Sequence, residues 1–374
     1  AVLTSIGIAC FYTVCERWFG KHAAFLSALL LAVSPMAILQ SRMPFYLFAI
    51  PVFTLLLLLA LEKLERVQTK WSIFFIVLSF ATLMQWELSS LPLIFLIGYS
   101  VIKHFPVWKK HALYGLFGGA IGFLPQIIFD ITHRCAQLCG LAVWSAYRVV
   151  ATTGFDGRHD ISLSSFENTA RGIGEQMSRL FGLHEWISFV IVSLLVVFGA
   201  VTYIKKRPKH YHILTYASIG MFAQLLGIMI HGSPSEAYFP TFLVFFSFIL
   251  AYVYTIVPSM AKKILAIGIV LLAAKNSFLL IQQHFYVDSL VDIKSATNWI
   301  VKSADQQPIQ LMSYDEGAKF STYLDHYIFL IETSGGVVSQ QGKRYIIATE
   351  KKTILPSVNI EKRQFGKTTV IRTL

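Results

Sequence analysis

Apolar runs follow one another along this chain as far as residue 282, with short polar segments between them. A helix needs about 20 apolar residues to cross the hydrocarbon core of a bilayer, and fewer where polar groups line a cavity. That length predicts ten spans, over residues 1–15, 22–39, 43–62, 71–86, 88–103, 111–130, 185–204, 211–231, 237–257 and 262–282. Pro35, Pro92 and Pro125 interrupt three of them. The polar segments alternate in charge. Those holding Arg17–Lys21, Lys63–Lys70, Lys103–Lys110, Lys205–Lys209 and Lys262–Lys263 carry fourteen Lys or Arg, and the short ones on the other side carry one, Arg42. Basic loops stay cytoplasmic, so the pattern predicts that residue 1, the C-terminus and the Arg42 side lie outside.

Two outer segments are too long to be turns. Residues 131–184 hold the polar stretch Asp156–Asp160 and then an amphipathic helix from about Ser165 to Phe181. Ser164 and Glu167 have capping-box spacing, and Phe166, Ile173, Met177 and Leu180 form an apolar stripe. The expected place for this helix is the membrane interface, with direct substrate contact as the alternative. From residue 288 the hydropathy falls. Ile293–Asp305 and Lys319–Ile331 read as helices, and Pro308–Tyr314, Tyr345–Ala348 and Thr368–Ile371 as strands. The expected fold is thus an α-helical polytopic membrane protein of about ten spans (1–287, with the outer loop 131–184), followed by a small α/β extramembrane domain (288–374). That domain shows no phosphate loop or triad spacing, and its expected role is to cover or present the membrane site.

Composition agrees. The chain is 55% hydrophobic and 14% charged with mean hydropathy +0.60, against about a quarter charged in soluble domains. The net charge of +12 is spread over separate short loops, which excludes a nucleic-acid face and suits anionic lipid headgroups. Of four cysteines, Cys10 and Cys15 read as packing residues. Cys135 and Cys139 could form a disulfide, although i, i+4 cysteines on a regular helix rarely reach bridging geometry. Residue 1 opens directly on an apolar run, without Met, basic leader or cleavage site. The expectation is that a further span and loop precede it.

Candidate chemistry lies at the outer ends of the spans: Gln40 and Arg42, Gln85 and Glu87, Asp130, His133 and Arg134, His231, Glu236 and Tyr238. Ionisable groups at membrane depth are costly and mark watery cavities. Each alone could be an ordinary interfacial residue, but together, with both signs present, they suggest a shared chamber. Arg42 and Arg134 could clamp a phosphate with their planar forks. Glu87, Asp130 and Glu236 could act as base, acid or metal ligand, and His133 and His231 could relay protons or bind a metal. The spacing defines no metal site and no cofactor, so a divalent ion stays open.

The run Phe19-Gly20, Ala24-Phe25, Ala28–Pro35 and Gln40-Ser41-Arg42 resembles a pattern of GT-C superfamily membrane glycosyltransferases. The resemblance is to the branch that contains protein O-mannosyltransferases and lipid A aminoarabinose transferases. Gln85-Trp86-Glu87 with Pro92, Gly122–Pro125 with Phe129, Asp130 and His133, and Tyr238-Phe239 with Phe242 agree in order. The resemblance implies inverting sugar transfer from a polyprenyl-phosphate carrier to a lipid, glycan or protein acceptor. It also implies a plasma membrane of bacterial type, with the active face and C-terminal domain extracytoplasmic. The superfamily's catalytic acid lies in its first outer loop, which has no counterpart here, so no residue of this chain takes that role. Glu87 stands where relatives often carry His, which implies different donor handling. Other readings are a transporter or flippase of a lipid-linked or anionic substrate, a polysaccharide polymerase or ligase, and a non-enzymatic scaffold.

Overall fold

The computed structural model describes residues 2–42, 49–137, 139–140, 142–143, 146, 163–206, 211–231, 238–281, 290–314, 324–348, 360–366 and 368–373. The chain divides into two compact units, Ala1–Phe278 and Leu279–Leu374.

The first unit is helical: α1 (Val2–Phe19), α2 (Lys21–Val33), α3 (Pro35–Arg42), α4 (Ile50–Val67) and α5 (Lys70–Trp86). A 3-10 segment, Leu88–Leu93, leads to α6 (Ile94–Lys103), α7 (Phe105–Lys110), α8 (Ala112–Gly122) and α9 (Leu124–Thr132). Then come α10 (Leu163–Phe181), α11 (Glu185–Lys206), α12 (Tyr211–His231), α13 (Phe239–Ile256) and α14 (Ser259–Ile281). A helix apolar on every face belongs inside, and α13 is the case: it is 83% buried, against 17% for α14. Phe248 of α13 packs on Phe11 and Trp18 of α1, with ring centroids 4.8 and 5.7 Å away.

Among the described residues, three helices are long and apolar enough to cross a membrane, lying within α12, α13 and α14. Three sharply bent pairs raise the number to six if each counts as one span: α2–α3 (62°), α8–α9 (58°) and α10–α11 (88°). This corrects the expected ten. Helix α4 runs on through Glu62, Lys63, Glu65 and Arg66, and the helices over Lys70–Trp86 and Leu88–Lys103 are shorter than a full crossing. Large apolar side chains nevertheless cover the outside of α8, α11 and α14, among them Leu116, Leu194 and Leu271. At the basic end, Lys70 Nζ lies 4.9 Å from the Tyr114 ring centre and Lys262 Nζ 5.9 Å from that of Tyr254. Aromatic rings beside lysines are the pattern of a membrane–water interface.

Helix α10 begins at Leu163, so Ser164 stands inside it and not at its cap. Its stripe is covered by protein: Ile173, Met177, Leu180 and Phe181 are buried in the core of the helical unit, not laid on a lipid surface. Side chains 163–166 lie outside what is described. Helices α5 and α8 meet backbone to backbone. A Cβ built on Gly118 would stand 2.5 Å from the Phe74 carbonyl oxygen, and one on Gly122 2.5 Å from Ala81 Cβ. Small residues permit such close helix approach.

In the second unit, α15 (Leu290–Ala304), β1 (Ile309–Tyr314), α16 (Asp325–Thr333), β2 (Lys343–Ala348), β3 (Ile360–Phe365) and β4 (Thr368–Thr373) form a four-stranded sheet ordered β1-β2-β4-β3 with two helices. The β1–β2 pair is parallel and the other two are antiparallel. Its core contains Ile300, Ile309, Tyr327, Tyr345, Ile347 and Val370. Sequence reading missed β3, whose Ile-Glu-Lys-Arg-Gln-Phe lacks a strand's apolar alternation; charge is what an edge strand carries. The second helix lies over Asp325–Thr333, and residues 315–323 fall outside the described chain.

Gly118→Leu is expected to force the α5–α8 seam apart and cost on the order of 1–3 kcal/mol, the usual range for overpacking. Gly98→Ala, where a Cβ meets nothing within 4 Å, is expected to be neutral or stabilising, since alanine favours helix. Thermal unfolding of the purified protein in detergent checks both; equal melting temperatures would refute the seam.

Candidate functional site

Bends in a helix release backbone carbonyls, and in an apolar interior those oxygens need other donors. At the α8–α9 bend Gln85 Nε2 donates to Gly122 O at 2.6 Å. At the α2–α3 bend Ser34 Oγ accepts from the Ala37 N–H (3.4 Å) and donates to Leu180 O (2.7 Å) at the end of α10. Asn276 Nδ2 of α14 then reaches Val33 O (3.1 Å) and Phe181 O (3.2 Å), and Lys275 Nζ donates to Gly182 O. Gly182 has φ +68°, and a Cβ there would collide with Asn276 Oδ1. Only glycine fits this corner.

The joint forms one side of a small pocket with about 30 Å³ of room for water-sized groups. Phe11 of α1, Leu31 of α2, Met36 and Ala37 of α3, Leu55 of α4, Leu180 of α10 and Leu243 of α13 line it, and Thr4 and Gln40 supply its polar side chains. Gln40 is 5% exposed, and its Nε2 has no hydrogen-bond partner among the described residues. A buried donor left without an acceptor is costly, so this wall is suited to a ligand oxygen. Gln40 stands two residues before Arg42, the last residue of α3.

Of the sequence candidates, Gln40 lines this pocket; the others whose side chains are described are not gathered there. Gln85 serves the α8–α9 bend. Glu87 caps the 3-10 segment, its Oε1 accepting from the Ser89 N–H at 3.4 Å. Asp130 is buried and holds a turn: its Oδ1 accepts from Gln137 N–H (2.7 Å) and its carbonyl from Cys135 N–H (2.8 Å). His133 is exposed, stacked on Phe129 with centroids 4.0 Å apart. Arg134 is exposed with φ +54°. Tyr238 is buried ahead of α13. The side chains of Arg42 and His231, and all of Glu236, lie outside the described residues. Among those described, no three His, Cys, Asp or Glu side chains gather as a metal set.

Cys135 and Cys139 are joined, with Cα atoms 5.4 Å apart. Arg134 and Cys135 both adopt left-handed backbone, and the turn that follows closes with Cys139 N–H donating to Cys135 O at 3.0 Å.

No family model, curated protein or solved structure matches the chain. The motifs set out above therefore carry the GT-C resemblance by themselves.

At the basic end the structure assembles a cluster that spacing did not reveal. The Glu65 carboxylate, 5% exposed, receives Lys103 Nζ at 2.7 Å and Tyr216 Oη at 2.6 Å. His104 Nε2 lies 3.0 Å from the same oxygen, without the alignment of a hydrogen bond, and His212 Nδ1 lies 3.6 Å from the other. These groups tie α4, the α6–α7 corner and α12 together. Partners 38 to 151 residues away leave no local signal. Glu65 lies past residue 62, where the third expected span ends. Burial alone would raise its pKa, but the neighbouring His104, Lys103 and Tyr216 outweigh it and hold the carboxyl down to about 2. A carboxyl depressed on folding adds stability above its unfolded value, about 4.5, and loses it as pH falls toward 2. Thermal stability is therefore expected to hold from pH 7 to about 5.5 and to decline below that. Glu65→Gln should be less stable at pH 7 and show a shallower acid decline. Parallel pH profiles for the two proteins would contradict this.

Proposed function

We propose that this chain belongs to an integral-membrane glycosyltransferase that moves a sugar from a polyprenyl-phosphate carrier to a lipid, glycan or protein acceptor on the non-cytoplasmic face. One observation carries the reading: an apolar pocket with a buried amide donor, Gln40, that finds no partner among the described residues and immediately precedes the Ser-Arg of the resemblance. An apolar pocket with a few placed polar groups is the usual form of a small-ligand site. In this reading the carrier's prenyl chain lies against Phe11, Leu31, Met36 and Leu243, and the Gln40 amide meets an oxygen near the phosphate. Arg42 binds the phosphate as a planar fork.

In the reaction the acceptor's nucleophile attacks the anomeric carbon, the carbon–oxygen bond to the phosphate breaks, and polyprenyl phosphate leaves with the bonding pair. A carboxylate takes the acceptor's proton. Glu87, Asp130, His133, Arg134, His231, Glu236 and Tyr238 remain in this reading as groups of the outer end, with Gln85 and Asp130 also shaping it through the bonds described above. The Cys135–Cys139 disulfide supports the orientation, because such bonds persist on the oxidising side of a membrane.

A second reading, a transporter or flippase of a lipid-linked or anionic substrate, draws support from the three bent helix pairs, since broken helices commonly line transport sites. Reconstituted vesicles separate the two by following a radiolabelled polyprenyl-phosphate sugar. Transfer of label to acceptor, lost in Arg42→Ala, is the outcome expected. Leu243→Trp, which fills the pocket, is expected to raise KM on the order of tenfold for a long-chain donor, roughly 1.4 kcal/mol of binding, and to spare a short-chain one. Movement of intact label across the vesicle without transfer would instead establish the transporter.

A further inference from the structure

Unsatisfied polar atoms lie in and behind the pocket wall made by α3 and the end of α10. Gln40 Nε2 on α3, Gln176 Oε1 on α10 and Asn276 Oδ1 on α14 are buried without partners among the described residues. Their residues are 5, 7 and 2% exposed. Each such atom penalises the closed arrangement. The wall is also short and bounded by bends: α3 has eight residues, a 62° bend precedes it, and an 88° bend follows Phe181. Three side chains close it by bonding backbone oxygens. Ser34 binds Leu180, Asn276 binds Val33 and Phe181, and Lys275 binds Gly182.

Closure by a few side-chain bonds beside buried groups left without partners gives this wall more than one way to pair its polar atoms. We propose that α3 and the C-terminal end of α10 are a movable wall latched by Ser34 and Asn276, and that its release opens the pocket sideways to a long apolar chain from the membrane. The apolar lining favours a lipid chain over a water-borne ligand. The open state frees Asn276 and Gln40 to pair differently, which offsets the bonds broken. Asn276 and Ser34 are positioning residues in this scheme. The proposal does not depend on what the chain carries at its head, so it stands or falls apart from sugar transfer.

The test uses the full chain in phospholipid nanodiscs with Cys10→Ser and a reporter, Ala37→Cys, in the pocket lining. N-dodecylmaleimide probes access from the bilayer, a sulfonated maleimide probes access from water, and the fully buried Cys15 reports general loosening. Asn276→Asp, which keeps the shape and removes both donor bonds, is expected to speed reaction at position 37 with the dodecyl reagent about tenfold. The sulfonated reagent and Cys15 should be unaffected. Ser34→Ala, a milder change, should act in the same direction. An unchanged rate at position 37 in both variants overturns the latch. Equal acceleration at Cys15 overturns it in favour of a structural role, and acceleration by the sulfonated reagent overturns the sideways route.

Discussion

A backbone carbonyl released inside an apolar bundle must find a donor from the protein, and this requirement organises the helical unit. Each of the three sharp bends recruits side chains for the purpose. Gln85 serves Gly122, Ser34 serves Leu180, Asn276 serves Val33 and Phe181, and Lys275 serves Gly182. Two of the bends are thereby joined to each other, and their junction becomes a wall of the pocket. The same rule closes α15 in the second unit, where Lys343 and Arg372 donate to the carbonyls of Ser303 and Ala304.

The two ends of the helical unit are held differently. At the basic end a buried carboxylate is surrounded by donors from three elements, and burial without pairing would be strongly destabilising there. Around the pocket, Gln40, Gln176 and Asn276 each carry a buried polar atom without a partner among the described residues.

Apolar runs alone made most of the helices legible. They also overcounted spans, because run length does not show where a helix bends or continues through charges, as α4 does past Glu62. Pro35 and Pro125 marked two bends correctly, whereas Gly182, which turns the third, sat inside a segment read as a long outer loop. In the second unit β1, β2 and β4 were visible as β-branched and aromatic runs. Strand β3 was hidden by its charges. For the site, the polar residues at the outer ends were worth noticing, but sequence could not tell a pocket residue from a carbonyl cap. Gln85 and Asp130 have the composition of chemistry and the bonds of architecture. Gln40 was noticed as a neighbour of Arg42, and its burial without a partner emerged only from packing. The Glu65 cluster joins distant segments, so no spacing rule reaches it. The Cys135–Cys139 bridge forms against the expectation for i, i+4 cysteines, beside two left-handed residues that composition does not announce.

The most direct measurement concerns the Val33 carbonyl. Labelling with carbonyl-¹³C valine and ¹⁵N serine selects Val–Ser pairs, which occur in this chain at 33–34, 192–193 and 338–339. The carbonyl resonance of Val33 should shift on Asn276→Asp as its hydrogen bond is lost, while the other two stay in place. If all three carbonyl signals coincide in the two proteins, Asn276 does not satisfy the bend, and the account of how this unit is held together is wrong.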